Sequence, residues 1–279
     1  PAKQDVINEL YAGTNKNGYK WPNDVAQAGI AVVSVEDGSI VAVGAGRNKK
    51  TERSLNYATS TRHHPGSTAK TIIDDDYTYT GGGQIKNFDN QHKGVMTIKN
   101  ALAQSRNIPA LYTFQQTTNE QKLEFASNLG WKPETSSGTI LETCSIGGFD
   151  GVTPLEAAAA YATFARGGTY IEPYSVTKIE YTETGDTIKV TPKKITAMSE
   201  ETAYMISMIL KHAVTSNIIG AGSVSGTDIA AKTGTSTVDS ALKKEFKGII
   251  GDSWEIAFSP DYAIATWYGY PQRTKEYYL

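Results

Sequence analysis

Three short groups of residues could do chemistry, and they occur in order: Ser67-Thr68-Ala69-Lys70, Ser105-Arg106-Asn107 and Lys232-Thr233-Gly234-Thr235. His64-Pro65-Gly66 makes a turn from which Ser67 can enter a helix. Positions three apart share a helix face, which brings the Lys70 amine near the Ser67 hydroxyl. A neutral lysine there could take the serine proton and so activate a poor nucleophile. Alone, Ser-x-x-Lys also describes an ordinary exposed helix start. Ser105-Arg106-Asn107 follows a helical stretch, Ile98 to Ala103, and by itself reads as a helix end. A lysine and two threonine hydroxyls on a strand edge can hold a carboxylate, and Gly234 lets a substrate approach the backbone. Taken alone, that third group is more simply a strand end.

Other chemistry-bearing residues read as structural. Asp74, Asp75 and Asp76 fit a solvated loop better than a metal site. His63 and His64 are adjacent and do not share one metal without further ligands; positioning the turn before Ser67 suits them better. Gly81-Gly82-Gly83 lacks the helix-opening context of a phosphate loop and reads as a flexible turn. The single cysteine, Cys144, excludes an internal disulfide framework and reads as a small buried residue.

These groups need a scaffold, and 279 residues are enough for one large domain or two packed lobes. A net charge of -2 gives no reason to expect nucleic acid or an anionic membrane surface as partner. No apolar run is long enough to span a bilayer. The chain starts Pro1-Ala2-Lys3, without Met or a hydrophobic leader, and so reads as a piece of a longer protein or a processed form. Residues 1–24 are polar and read as a linker or arm, followed by a domain over 25–279.

Strand signals stand at both ends of that domain. Gly29 to Val35 is rich in β-branched residues, and Ile40 to Val43 follows Asp37-Gly38, a hairpin signal. Near the C-terminus, Ile229 to Thr235 is one strand candidate. Trp254 to Phe258 and Ala263 to Tyr268 form a hairpin around Ser259-Pro260-Asp261. Between them the chain is helical: Thr153-Pro154 with Glu156 opens a helix that stops at Gly167-Gly168. Ser199 caps another, with Met205, Ile206, Ile209, Leu210 and Ala213 as its core-facing stripe. The fold class expected is α+β, with terminal strands meeting in one antiparallel sheet, flanking helices and a mainly helical middle lobe.

Ser-x-x-Lys, Ser-x-Asn and Lys-Thr-Gly in this order are together the signature of the penicillin-recognising serine enzymes. The chain resembles the transpeptidase domain of a class A (bifunctional) penicillin-binding protein of Gram-positive type. The likeness extends from about Ala28 to Gly269, including Arg62 to Ser67, Ala101 to Ala110, and Gly147-Gly148 through Thr153-Pro154 to Gly167-Gly168. The resemblance implies that Ser67 attacks the carbonyl between the two D-alanines of a peptidoglycan stem peptide, with Lys70 as general base. Ser105 would relay a proton to the leaving amine, and Asn107 would hydrogen-bond the substrate amide. Lys232, Thr233 and Thr235 would hold the terminal carboxylate, beside Gly234. Backbone N–H groups of Ser67 and Thr235 would form an oxyanion hole. β-Lactams would enter the same path and deacylate slowly. No metal or organic cofactor is implied. The resemblance also implies a glycosyltransferase domain and a membrane anchor in the full-length protein, at the extracytoplasmic face of the bacterial cell membrane.

The chain departs from the family pattern in two places. Thr71 occupies a place usually held by Pro, and Thr71-Ile72-Ile73 runs straight into the aspartates where the family continues its helix, so residues are expected to be missing between Lys70 and Tyr77. Ala230-Ala231 precedes Lys232 in a place where a Gly is commoner. Among rivals, a class A β-lactamase needs a deacylating Glu in a Glu-x-x-Leu-Asn context, which Glu124 to Asn128 does not supply. A D,D-carboxypeptidase, which gives the acyl group to water, and a β-lactam sensor domain, which binds covalently without turnover, compete with the transpeptidase as well.

Overall fold

The β-branched run near the N-terminus forms β1 (Gln27–Ser34), which turns through Asp37-Gly38 into β2 (Ile40–Gly44). Asp37 accepts from the Ser39 backbone N–H and hydroxyl, and Gly38 takes a positive φ of 84°, which a side chain would resist. The C-terminal strands are β11 (Ala230–Thr237), β12 (Ile250–Phe258) and β13 (Tyr262–Gly269). All five join one antiparallel sheet in the order β11-β12-β13-β1-β2, because β13 pairs with β1 along its whole length. The expected meeting of terminal strands is therefore observed. In this computed structural model the described residues are 2–15, 19–48, 56–60, 73–133, 135–149, 151–217, 224–237 and 250–270.

Short ribbons pair β3 (Ile73–Asp74) with β4 (Gly94–Val95), and β5 (Thr135–Ser136) with β6 (Thr139–Ile140). Two more pair β7 (Thr169–Ile171) with β10 (Lys194–Thr196), and β8 (Lys178–Glu180) with β9 (Thr187–Lys189). The helices are α1 (Ala2–Ala12), α2 (Ile98–Ala103), α3 (Asn107–Gln115), α4 (Asn119–Asn128), α5 (Pro154–Ala165) and α6 (Glu200–Asn217).

Alternation along β1 sends side chains to both faces of the sheet, and both are covered. Ala31 and Val33 join the main core with Ala157, Ala158 and Tyr161 of α5, and with Trp254 and Trp267. The small alanines let α5 lie close to the sheet, and the two tryptophans sit opposite each other across β12 and β13. Cys144 is half-buried and packs against the same core. Thr153 and Glu156 form a complete capping box at the start of α5, with Pro154 in its first turn, as the sequence indicated. After α5, Gly168 has a φ of 92°, and a Cβ there would collide with the Met198 carbonyl.

On the opposite face, Ile30, Val32 and Ala42 pack against Ile7, Leu10 and Tyr11 of α1. The stretch read as a polar linker or arm thus contains a helix docked on the sheet, and the Tyr11 hydroxyl donates to the Ala28 carbonyl at 2.8 Å. Polar composition hid it, because α1 buries only a narrow stripe. One member of the α6 stripe is also corrected: Met205 is 63% exposed, whereas Leu210 and Ala213 are buried and Ile206 and Ile209 pack against the main core. α6 meets the core over a narrower arc than the stripe implied.

Candidate functional site

The turn between α2 and α3 carries Ser105, and its geometry is set by how α2 ends. The Arg106 N–H returns to the Ala101 carbonyl and the Ser105 N–H to the Leu102 carbonyl, each at 3.0 Å. This is a Schellman ending, whose left-handed position is most often glycine. Ser105 occupies it with a φ of 53°. A side chain in that conformation costs about 1 kcal/mol or more, and here it places a hydroxyl at the mouth of a cleft.

Arg106 and Asp74 anchor the turn from below. Arg106 is 1% exposed and Asp74 is fully buried. Arg106 Nε donates to Asp74 Oδ2 at 2.9 Å, and Nη1 to Asp89 Oδ2 at 2.7 Å. Its Nη2 bonds the Gln91 carbonyl. The hydrogen bond from Arg106 holds the Asp89 carboxyl below the usual carboxylate range. Asn87 donates through Nδ2 to Asp74 Oδ1, and its Oδ1 accepts the Asn107 N–H at 2.8 Å, capping α3 from outside the helix. Asp74 is therefore not part of a solvated loop: a buried guanidinium needs a buried counter-charge. Asp75 and Asp76 are exposed. The ribbon β3–β4 brings Asp74 to the turn, since Lys93 N, just before β4, donates to Asp74 Oδ2 at 2.8 Å.

Opposite the turn lies β11, the edge strand of the sheet. Ala231 and Val214 of α6 form a small apolar cluster behind it. Lys232 is 1% exposed, and its Nζ donates to Ser105 Oγ and to the Thr233 carbonyl, the latter at 2.6 Å. Burial pushes the Lys232 amine down to about 8. At the far end of β11, the buried Asp252 accepts from Ser236 Oγ at 2.6 Å and from Trp267 Nε1 at 2.9 Å, tying the strand to the sheet core.

The turn and the edge strand enclose a cleft of about 370 Å³, lined by Ser105, Thr233, Gly234 and Thr235. The structure thus brings together Ser105, Lys232, Thr233, Gly234 and Thr235, although Lys232 and Ser105 are 127 positions apart. Asn107 is half-buried at the start of α3, and its Nδ2 donates to the Lys86 carbonyl at 2.8 Å. Ser67 and Lys70, like His63 and His64, lie outside the described residues. Among the described residues no group of His, Cys, Asp or Glu could hold a metal ion, and no helix is long and apolar enough to cross a membrane. Glu124 is exposed on α4.

Sequence reading missed Asp74, Asn87 and Asp89 as supports, and Phe88 and Lys93 as lining residues of the cleft. The one available signal was Arg106 itself, a charge at the junction of two helical segments, which would need partners if that junction were buried.

The family model for the penicillin-binding protein transpeptidase domain matches residues 28–274. Penicillin-binding protein 1A/1B of Bacillus subtilis (strain 168) is 38% identical over 290 residues, covering 95% of this chain and 31% of that protein. Penicillin-binding protein 1A of Streptococcus oralis is 28% identical over 307 residues, covering 96% of this chain and 47% of that protein. The chain therefore spans about a third to a half of the length of these relatives. The solved structure of PonA1 from Mycobacterium tuberculosis in complex with penicillin V superimposes with a TM-score of 0.79 at 17% identity. It covers 98% of this chain and 75% of that one, and at this identity the likeness concerns the fold.

Proposed function

The chain belongs to the penicillin-binding protein transpeptidase domains, and from that premise we propose that it is a serine D,D-transpeptidase that cross-links peptidoglycan stem peptides and is acylated by β-lactams. The observation that carries this reading is the hydrogen bond from Lys232 to Ser105 across a cleft lined by Thr233, Gly234 and Thr235.

In the proposed reaction, Ser67 Oγ attacks the carbonyl between the two D-alanines while Lys70 takes its proton. The tetrahedral oxyanion is held by the backbone N–H groups of Ser67 and Thr235. Because Lys232 donates to Ser105 Oγ, the Ser105 O–H points elsewhere and can donate to the departing nitrogen. As that proton leaves, Lys232 replaces it, a transfer eased by an amine already pushed down to about 8. The C–N bond breaks, D-alanine departs and an ester to Ser67 remains. The amine of a neighbouring stem peptide then attacks the ester, forming the new amide and restoring the serine.

Thr233 and Thr235 hydroxyls, over the Lys232 charge, suit the terminal carboxylate of the donor peptide. Asn107 is assigned to the substrate amide. Glu124 is exposed on α4, outside the cleft lining, and offers no support for a β-lactamase reading. The likeness to class A proteins further supports a glycosyltransferase domain and membrane anchor in the full-length protein, at the extracytoplasmic face of the cell membrane.

The test is to incubate the chain with a stem peptide ending in D-Ala-D-Ala and an amine acceptor, and to measure D-alanine and the acyl products. Release of D-alanine with an amide-linked product is expected. Release with only the hydrolysed peptide would replace the transpeptidase reading with a carboxypeptidase.

A further inference from the structure

We propose that Asp252 is a positioning residue for the oxyanion hole: through its bond to Ser236 it fixes the neighbouring Thr235 N–H at the cleft edge of β11. The inference rests on the serine-enzyme reading above, in which that N–H meets the substrate carbonyl.

β11 is an edge strand, paired only with β12 among the described residues. Along an antiparallel edge, alternate residues turn their N–H and C=O groups away from the partner strand. Lys232 Nζ, which reaches Ser105 across the cleft, also donates to the Thr233 carbonyl, so the Thr233 backbone faces the cleft. Two residues on, the backbone of the exposed Thr235 faces the same way. A ladder bond to β12 is thus not what holds the Thr235 N–H, and its placement depends on the residues beside it.

Of these, Gly234 offers no side chain, whereas Ser236 is half-buried. Just beyond Ser236 the register slips, since Ser236 pairs with Asp252 but Thr237 with Ile250. Such a bulge ends the regular ladder one residue past Thr235. At this last regular pair stands the side-chain bond, from Ser236 Oγ to Asp252 Oδ2 at 2.6 Å. The other carboxylate oxygen, Oδ1, accepts from Trp267 Nε1 at 2.9 Å. Asp252 is 1% exposed and Trp267 is fully buried. The line from Trp267 through Asp252 to Ser236 therefore crosses β13, β12 and β11, and clamps the edge strand to the core beside Thr235. Ser236 does not line the cleft, so its influence on the chemistry passes through the backbone. Moving a catalytic group by about 1 Å can cost on the order of 100-fold in rate.

The test is Ser236→Ala, with Ser236→Thr as the variant that keeps the hydroxyl. Benzylpenicillin acylation of the full chain is followed against drug concentration, which separates the limiting rate from the half-saturating concentration. In Ser236→Ala the limiting rate should fall about tenfold or more with half-saturation unchanged, and Ser236→Thr should restore most of it. The ester carbonyl of the penicilloyl adduct, read by infrared difference spectroscopy, should shift to higher wavenumber in Ser236→Ala as its hydrogen bonds weaken. Loss of a purely structural tie would leave that band in place. An unshifted band, an unchanged limiting rate, a loss confined to half-saturation, or a rate loss matched by loss of folded chain in thermal melts would each overturn the proposal. A parent that forms no adduct would overturn the serine-enzyme reading and this inference with it. A parent that is acylated while Ser236→Ala matches it would overturn this inference alone.

Discussion

Lys232 and Ser105 are joined by a hydrogen bond from Nζ to Oγ, which ties the edge strand β11 to the turn between α2 and α3. Neither residue is comfortable where it stands. Lys232 is a buried cation without a carboxylate in its described bonds, and Ser105 holds a backbone conformation suited to glycine. In the proposed reaction both discomforts would serve the cleft: one would lower the barrier to proton movement, and the other would offer a hydroxyl to the leaving group.

Replacing Lys232 with Met should raise stability and abolish acylation. The amine titrates near 8 in the folded chain against an ordinary value of 10.5. The unfolded chain thus binds more protons between those values, so stability rises with pH across that window and the cost of the buried charge is fully present at pH 7. The shift corresponds to at most about 3 kcal/mol, reduced by the hydrogen bonds lost. Thermal melts should show the variant several degrees above the parent at pH 7, with the gap closing as pH approaches 10.5. A variant that melts lower at pH 7 would contradict this account of Lys232.

Arg106→Ala should act in the opposite sense. It leaves Asp74 buried without its guanidinium, and breaking such a pair costs about 3–5 kcal/mol. The same change frees the turn that holds Ser105, so denaturant midpoint and acylation rate should fall together. Arg106→Lys should rescue only part of either, because one ammonium cannot reach Asp74, Asp89 and the Gln91 carbonyl at once. Full rescue by lysine would show that charge alone matters.

The sheet and the two main helices were legible because their signals are local. β-Branched runs, Asp37-Gly38 and the Thr153-Pro154-Glu156 box each act within a few residues, and each is found in the structure. The motif residues could be named, yet nothing local shows that Lys232 lies against Ser105. That follows only once β13 pairs with β1 and places β11 at the edge. Asp74 misled for the same reason: its partner Arg106 is 32 positions away, and an aspartate beside two exposed ones carries no local mark of burial. α1 was missed because its docking stripe is narrow, and Met205 was overcounted because a helical period does not fix how wide the buried arc is.

Thr153→Ala offers a control that separates stability from chemistry. Losing this cap should cost about 1 kcal/mol, or about 2–4 °C in melting temperature for a chain of this size. Acylation at 25 °C should remain at the parent rate, since Thr153 caps α5 and is absent from the cleft lining. A large loss of acylation in a folded Thr153→Ala chain would mean that α5 contributes to the site directly.

The most direct test of the central claim is intact mass spectrometry after incubation with benzylpenicillin, comparing the parent with Ser67→Ala. The expected result is one stable penicilloyl adduct on the parent and none on the variant. An adduct that persists in Ser67→Ala, or a folded parent that neither gains mass nor consumes the drug, would contradict it.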